Sequence, residues 1–145
     1  MDKKLFLLLL ALFSIAVFSA SPGDVVINEV AWMGTTASTS DEWIELYNTT
    51  ASDIDISNWS IYGADTGNTL NFADCDRSST ANFIIPAGGY LIYANGYEVF
   101  SSGATVDIED ATIGLNNSSP GQLILYDGQN GTGNVIDTAE DGSSN

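Results

Sequence analysis

From Val25 onward, short runs rich in Val, Ile, Leu, Tyr, Phe and Trp are broken by Gly, Asn, Asp, Ser or Thr. The breaks recur every roughly eight to twelve residues, the punctuation of an all-β sandwich or barrel. The pattern predicts strands at Val25–Trp32, Glu42–Asn48, Trp59–Gly63, Thr69–Phe72, Phe83–Ile85, Tyr90–Ala94, Gln122–Tyr126 and Val135–Thr138. Beyond the N-terminal twenty or so residues, no stretch keeps apolar residues at helical spacing for about three turns, so helix should be minor.

Within Trp43-Ile44-Glu45-Leu46-Tyr47, alternation sets Ile44 and Leu46 on one face and Trp43, Glu45 and Tyr47 on the other. Aromatic and acidic residues opposite aliphatic ones predict a strand covered on both faces. Asn28 and Glu29 are set among β-branched residues in the same way. A buried polar group without a partner costs about 1–3 kcal/mol. Asn28, Glu29, Glu45 and Asn48 are therefore expected to have a structural role, bonding backbone amides at strand ends. Ile85-Pro86-Ala87-Gly88-Gly89-Tyr90 reads as a turn entering a strand, and Asp127-Gly128-Gln129-Asn130-Gly131 as a hairpin turn. Residues 64–82 and 101–121 are the longer polar connections, where binding loops sit on a sandwich.

The N-terminus has a different character. Lys3 and Lys4 precede an apolar run from Leu5 to Phe18, followed by small residues at Ser19-Ala20-Ser21. This is the layout of a helical signal peptide over residues 1–20, cleaved near Ser19. The run falls short of the roughly 20 apolar residues of a membrane span. A secreted or cell-surface domain over residues 24–145, with no span once the signal is cut, is the expectation; retention of the run as an anchor is the alternative.

Charge narrows the function further. The whole chain carries −16, and without residues 1–20 Arg77 alone faces eighteen carboxylates, a formal charge of −17. Such a field repels phosphate backbones, whose binding depends on Lys and Arg displacing counterions, so nucleic acid is excluded as a partner. There is no His, so a Ser-His-Asp or Cys-His arrangement cannot form and zinc lacks its usual nitrogen donors. Cys75 is the single cysteine, and Asp74 and Asp76 beside it disfavour a reactive thiolate. It reads as a surface or half-buried thiol, with a covalent link to another chain as the alternative. No Gly-rich phosphate loop appears, and no cofactor is indicated.

Calcium is the one ion the residue types suit, through oxygen ligands. Asp53 with Asp55, and Asp107 with Glu109 and Asp110, offer alternating carboxylates that an extended strand would turn to one side; Asp74 with Asp76 is a third such pair. None follows the EF-hand spacing. Trp43 and Trp59 are expected in the core, while Trp32, Tyr93 and Tyr97 are the candidates for an exposed platform that meets sugar or protein. Asn48-Thr49-Thr50, Asn58-Trp59-Ser60, Asn116-Asn117-Ser118, Asn117-Ser118-Ser119 and Asn130-Gly131-Thr132 fit the N-glycosylation pattern.

Several stretches together resemble one known family. Val26-Ile27-Asn28-Glu29-Val30, Asp41-Glu42-Trp43-Ile44-Glu45-Leu46-Tyr47-Asn48, Asp55-Ile56-Ser57-Asn58-Trp59-Ser60-Ile61 and Ile85-Pro86-Ala87-Gly88-Gly89-Tyr90 resemble the lamin tail domain in its prokaryotic extracellular form. Leu115-Asn116-Asn117-Ser118, Gln122-Leu123-Ile124-Leu125-Tyr126-Asp127 and Val135-Ile136-Asp137-Thr138 resemble its second half. The resemblance implies an immunoglobulin-like β-sandwich acting as a non-catalytic module that contacts an extracellular protein or a cell-surface polymer. A calcium-dependent carbohydrate-binding module, or an accessory piece of a secreted hydrolase, stands as the alternative. Asn58 replaces the Gly frequent before the second Trp, a tolerable change because Asn adopts left-handed backbone. The family pattern continues into a further turn and closing strand where this sequence has Asp141-Gly142-Ser143-Ser144-Asn145, which leaves open a C-terminal truncation with one exposed sheet edge.

Overall fold

The computed structural model describes residues 19–65, 68–76, 81–96, 99–100, 104–115 and 121–140. The expected signal segment up to Phe18, Arg77, Tyr97 and the two Asn-Xaa-Ser triplets at 116–119 lie outside the described residues. Among the described residues the strands are β1 (Val25–Ala31), β2 (Trp43–Asn48), β3 (Ile54–Asp55), β4 (Ser60–Asp65), β5 (Asn68–Asn71), β6 (Ile84–Ile85), β7 (Tyr90–Ala94), β8 (Ile108–Glu109), β9 (Gln122–Tyr126) and β10 (Val135–Glu140). Short 3-10 turns lie at Phe72–Asp74 and Gln129–Gly131, and no α-helix occurs among the described residues.

Two four-stranded sheets, ordered β1-β2-β7-β8 and β10-β9-β4-β5, carry the fold, with β3 and β6 pairing separately. All pairs are antiparallel except β7 with β8. The alternation read from the sequence decides what each sheet turns inward. Ile44 and Leu46 of β2, Leu91 and Tyr93 of β7, Ile61 of β4 and Leu125 of β9 are all buried. With Ile56, Trp59, Phe72 and Ile136 they form one core, and each such aliphatic side chain contributes about 1.5–3 kcal/mol of burial free energy.

The outer face of β2 differs from the expectation. Trp43, Glu45 and Tyr47 are half-buried rather than covered. Trp43 packs outside the main core, its ring 5.3 Å from that of Phe100. There Ala94, Val99 and Val106 make a second, smaller cluster as the chain folds back over the sheet. Trp59 is in the main core, as its place in the pattern implies.

Two irregularities join the sheets along one side. Asn28 is bulged out of register between Ile27 and Glu29, and a second shift falls between Val135 and Asp137. The bulge frees the Ile27 N–H, which donates to Asp137 Oδ2 at 2.7 Å, while the Gly23 N–H donates to the Ile136 carbonyl at 2.8 Å. β1 and β10 are thereby sewn together along this flank. Gly63 makes the bend in β4: its φ is +87°, and a Cβ there would stand 2.0 Å from the Gln122 carbonyl oxygen.

Candidate functional site

One end of the sandwich carries an open groove of about 470 Å³, lined by Thr39, Ser40, Glu42, Asn95, Ala111 and the run Ile113-Gly114-Leu115. Glu42 directly precedes β2 and Asn95 directly follows β7, so antiparallel pairing brings them together. The Asn95 N–H donates to the Glu42 carbonyl at 2.9 Å. The Asn95 side chain donates to the carbonyls of Ala111 (3.3 Å) and Ile113 (3.4 Å), and the Leu115 N–H donates to Glu42 Oε2 at 2.7 Å. Glu42 is only 6 % exposed. Burial raises its pKa above the ordinary Glu value, against the opposing effect of the Leu115 N–H.

Behind this wall lies Asp110, itself buried. The Tyr93 hydroxyl donates to Asp110 Oδ2, and Thr112 donates both N–H (2.9 Å) and Oγ1 (2.6 Å) to Oδ1. Burial first, then the bond to and charge of Asp110, push the Tyr93 phenol far above its usual range. Tyr93 is fully buried, edge-on to Phe72 with centroids 5.2 Å apart. The expectation of Tyr93 as an exposed platform is thus corrected: it shares inward parity with Leu91. Trp32 is 44 % exposed and Met33 66 % exposed, so that part of the expectation stands.

The carboxylates considered for calcium go separate ways. Asp53 Oδ1 accepts from the Ala87 N–H at 3.0 Å and Asp55 Oδ1 from the Ser57 N–H at 2.8 Å, each bracing a different turn. Asp107 Oδ2 accepts from the Ile92 N–H at 2.9 Å, and burial raises its pKa despite that bond. Glu109 is half-buried on β8. Asp74 Oδ2 accepts from Asn71 Nδ2 at 2.8 Å, and Asp76 Oδ2 from the Ala111 N–H at 2.7 Å. Among the described residues no three His, Cys, Asp or Glu side chains converge as a metal ion would require.

Of the four polar residues given structural roles, Asn48 fits the expectation best. Fully buried, it donates Nδ2 to the carbonyls of Ser52, Ile85 and Pro86 within 3.0 Å and accepts from Thr50 N–H and Oγ1. That burial leaves no access for a glycan at Asn48. Asn28 and Glu29 are exposed instead, and Asn28 Nδ2 bonds Glu45 Oε1 at 2.8 Å rather than backbone. The bulge turns Asn28 out of the sheet, which is why a reading by simple alternation misplaced it. Cys75 is likewise buried in the core rather than at the surface, because the 3-10 turn at Phe72–Asp74 tips it inward beside Phe72. Glu42 was missed as a site residue, although its sequence signal was present: it has the same parity as Ile44 and Leu46.

Two antiparallel-dominated sheets packed around one core, with loops gathered at the ends, define an immunoglobulin-like β-sandwich module. A family model described as Lamin Tail Domain matches residues 19–143, and the chain belongs to that family. No curated protein matches it significantly. Among the described residues no helix is long and apolar enough to cross a membrane.

Proposed function

We propose that the chain is an extracellular, non-catalytic interaction module whose loop end and sheet faces contact a partner protein or a cell-surface polymer. The observation that carries this reading is the employment of its acids. Glu42, Asp53, Asp55, Asp107, Asp110 and Asp137 each accept a hydrogen bond from a backbone N–H. They fasten loops and edges. Paired-acid hydrolysis instead needs two carboxyls facing one substrate across a cleft, and among the described residues lining the groove Glu42 is the single acid. Family membership supports the same reading, and Lys3, Lys4 and the apolar run to Phe18 support export. The test is a turnover screen of the full chain against nucleic acids and polysaccharides with magnesium, manganese or calcium added. No product above background is expected; metal-dependent hydrolysis that survives repurification overturns the reading.

A second reading draws on the groove lining. Thr39 and Ser40 hydroxyls, the Asn95 amide and the Glu42 carboxyl suit a neutral, hydroxyl-bearing polymer. If calcium is required, retention on a polysaccharide column disappears with a chelator; retention that ignores the chelator removes calcium from this proposal.

A further inference from the structure

The outward face of β1, β2 and β7 holds an arrangement that folding alone does not favour. Glu29 and Glu45 stand directly opposite each other in the β1–β2 pairing, and like charges so placed destabilise a sheet. One row along, Val26, Tyr47 and Tyr90 lie side by side across the three strands. The two tyrosine rings are 4.7 Å apart at an interplanar angle of 31°, and Tyr90 is 54 % exposed. The segment that closes over Trp43 covers the opposite end of this face. An aromatic platform therefore stands open next to two carboxylates, on a domain whose single basic residue past the N-terminal segment is Arg77.

We propose that this face docks an extended, lysine- or arginine-bearing segment of a partner protein. The inference rests on the module reading above and names the partner's chemistry. Charge complementarity selects the occupant, since a formal −17 attracts cations and repels anionic polymers. Tyrosine faces accept ammonium and guanidinium groups, and the aliphatic stems of Lys and Arg lie along such rings. The geometry also matches. Tyr47 and Glu45 are successive outward residues of β2, separated by about 6–7 Å along the strand. Alternate side chains of an extended peptide have the same spacing, so one can lie over Tyr47 and Tyr90 while the next pairs with Glu45 and Glu29.

The probe is a synthetic dodecapeptide of alternating Lys and Ser, titrated into the full chain at low and at physiological salt. Three variants separate a docking face from diffuse attraction: E29Q/E45Q, Y90A, and D53N/D55N as a charge-matched control elsewhere on the surface. Gln and Asn keep the acceptor atoms used by Asn28, Ala87 and Ser57, so these variants fold. E29Q/E45Q should weaken binding about tenfold and Y90A about fourfold, while the control changes it less than about twofold. Equal losses in E29Q/E45Q and the control, or no binding by the parent chain, overturn the proposal. Failure of the module reading appears separately, as turnover in the hydrolysis screen. Absence of both binding and turnover removes this face and leaves the module.

Discussion

At position 42 the backbone carbonyl holds Asn95 and the carboxylate holds Leu115, so one residue ties the beginning of β2 to two other segments. The two obvious substitutions there should behave differently. Glu42→Ala leaves the Leu115 N–H without its acceptor, which costs about 1–3 kcal/mol. Glu42→Gln keeps an acceptor oxygen and sheds the burial penalty that raises the carboxyl's pKa, so at neutral pH it should be as stable as the parent or more so. Urea midpoints of the three proteins check this; a Gln variant as weak as the Ala variant would show that the charge itself is required. Buried Tyr93 and Asp110 teach the same lesson about reading residues. Parity with Leu91 is the sequence signal that Tyr93 turns inward, which the expectation of an exposed platform overlooked; its partner Asp110 comes from the distant turn after β8, and no local pattern announces such a pair.

Elements were legible in proportion to their length. β1, β2, β4, β7 and β9 have enough alternating positions to declare themselves, and each appears close to its expected span. β3, β6 and β8 have two residues each. Their existence depends on a partner strand, so a period-two pattern has nothing to register; β3 and β8 escaped, and β6 is shorter than the run around it suggested. Gly63 is another element-scale feature, because it lets β4 bend against β9. Gly63→Ala places a Cβ on the Gln122 carbonyl and forces an L-residue into left-handed backbone. Together these should cost at least about 2 kcal/mol. The expected outcome is a markedly lower melting temperature, with Gly88→Ala as the comparison, since its φ of +62° carries the same backbone strain with open space around the added Cβ. Equal losses at the two positions would mean that close approach to β9 contributes nothing.

For the molecule as a whole, acidity sets the response to pH and salt. Glu42 and Asp107 have folded pKa values above their ordinary ones. The folded state then binds more protons than the unfolded one in the interval between the two values, and stability falls as pH rises through it. Asp127 works the other way. Burial raises its value, but the bonds from Asn134 and Ser19 outweigh that and lower it, so its contribution is present above the ordinary Asp range and lost as pH falls. Two raised groups and the mutual repulsion of eighteen carboxylates outweigh one lowered group. Melting temperature should therefore rise as pH is lowered from neutral toward the ordinary carboxylate range, and rise with sodium chloride at neutral pH through screening. In E42Q the pH slope should be shallower. A calcium-specific increase beyond matched ionic strength would mean a real site, worth about 2.7 kcal/mol at a hundred times its dissociation constant.

The fold class, its resemblance and the sheet interior could be read from the chain because alternation, turn residues and charge are local properties. The groove could not, because Glu42, Asn95 and Leu115 meet only after the sheets close. The seam between β1 and β10 concerns time as well as space. Ile27 waits for Asp137, 110 positions later in sequence, and closing a loop of that length is entropically costly before any contact rewards it. A chain synthesised N-terminus first would show β1 with a bare flank until β10 arrived. Cooperative folding would begin only when nearly all of these strands were available, making this one hydrogen-bonded flank a clock for maturation.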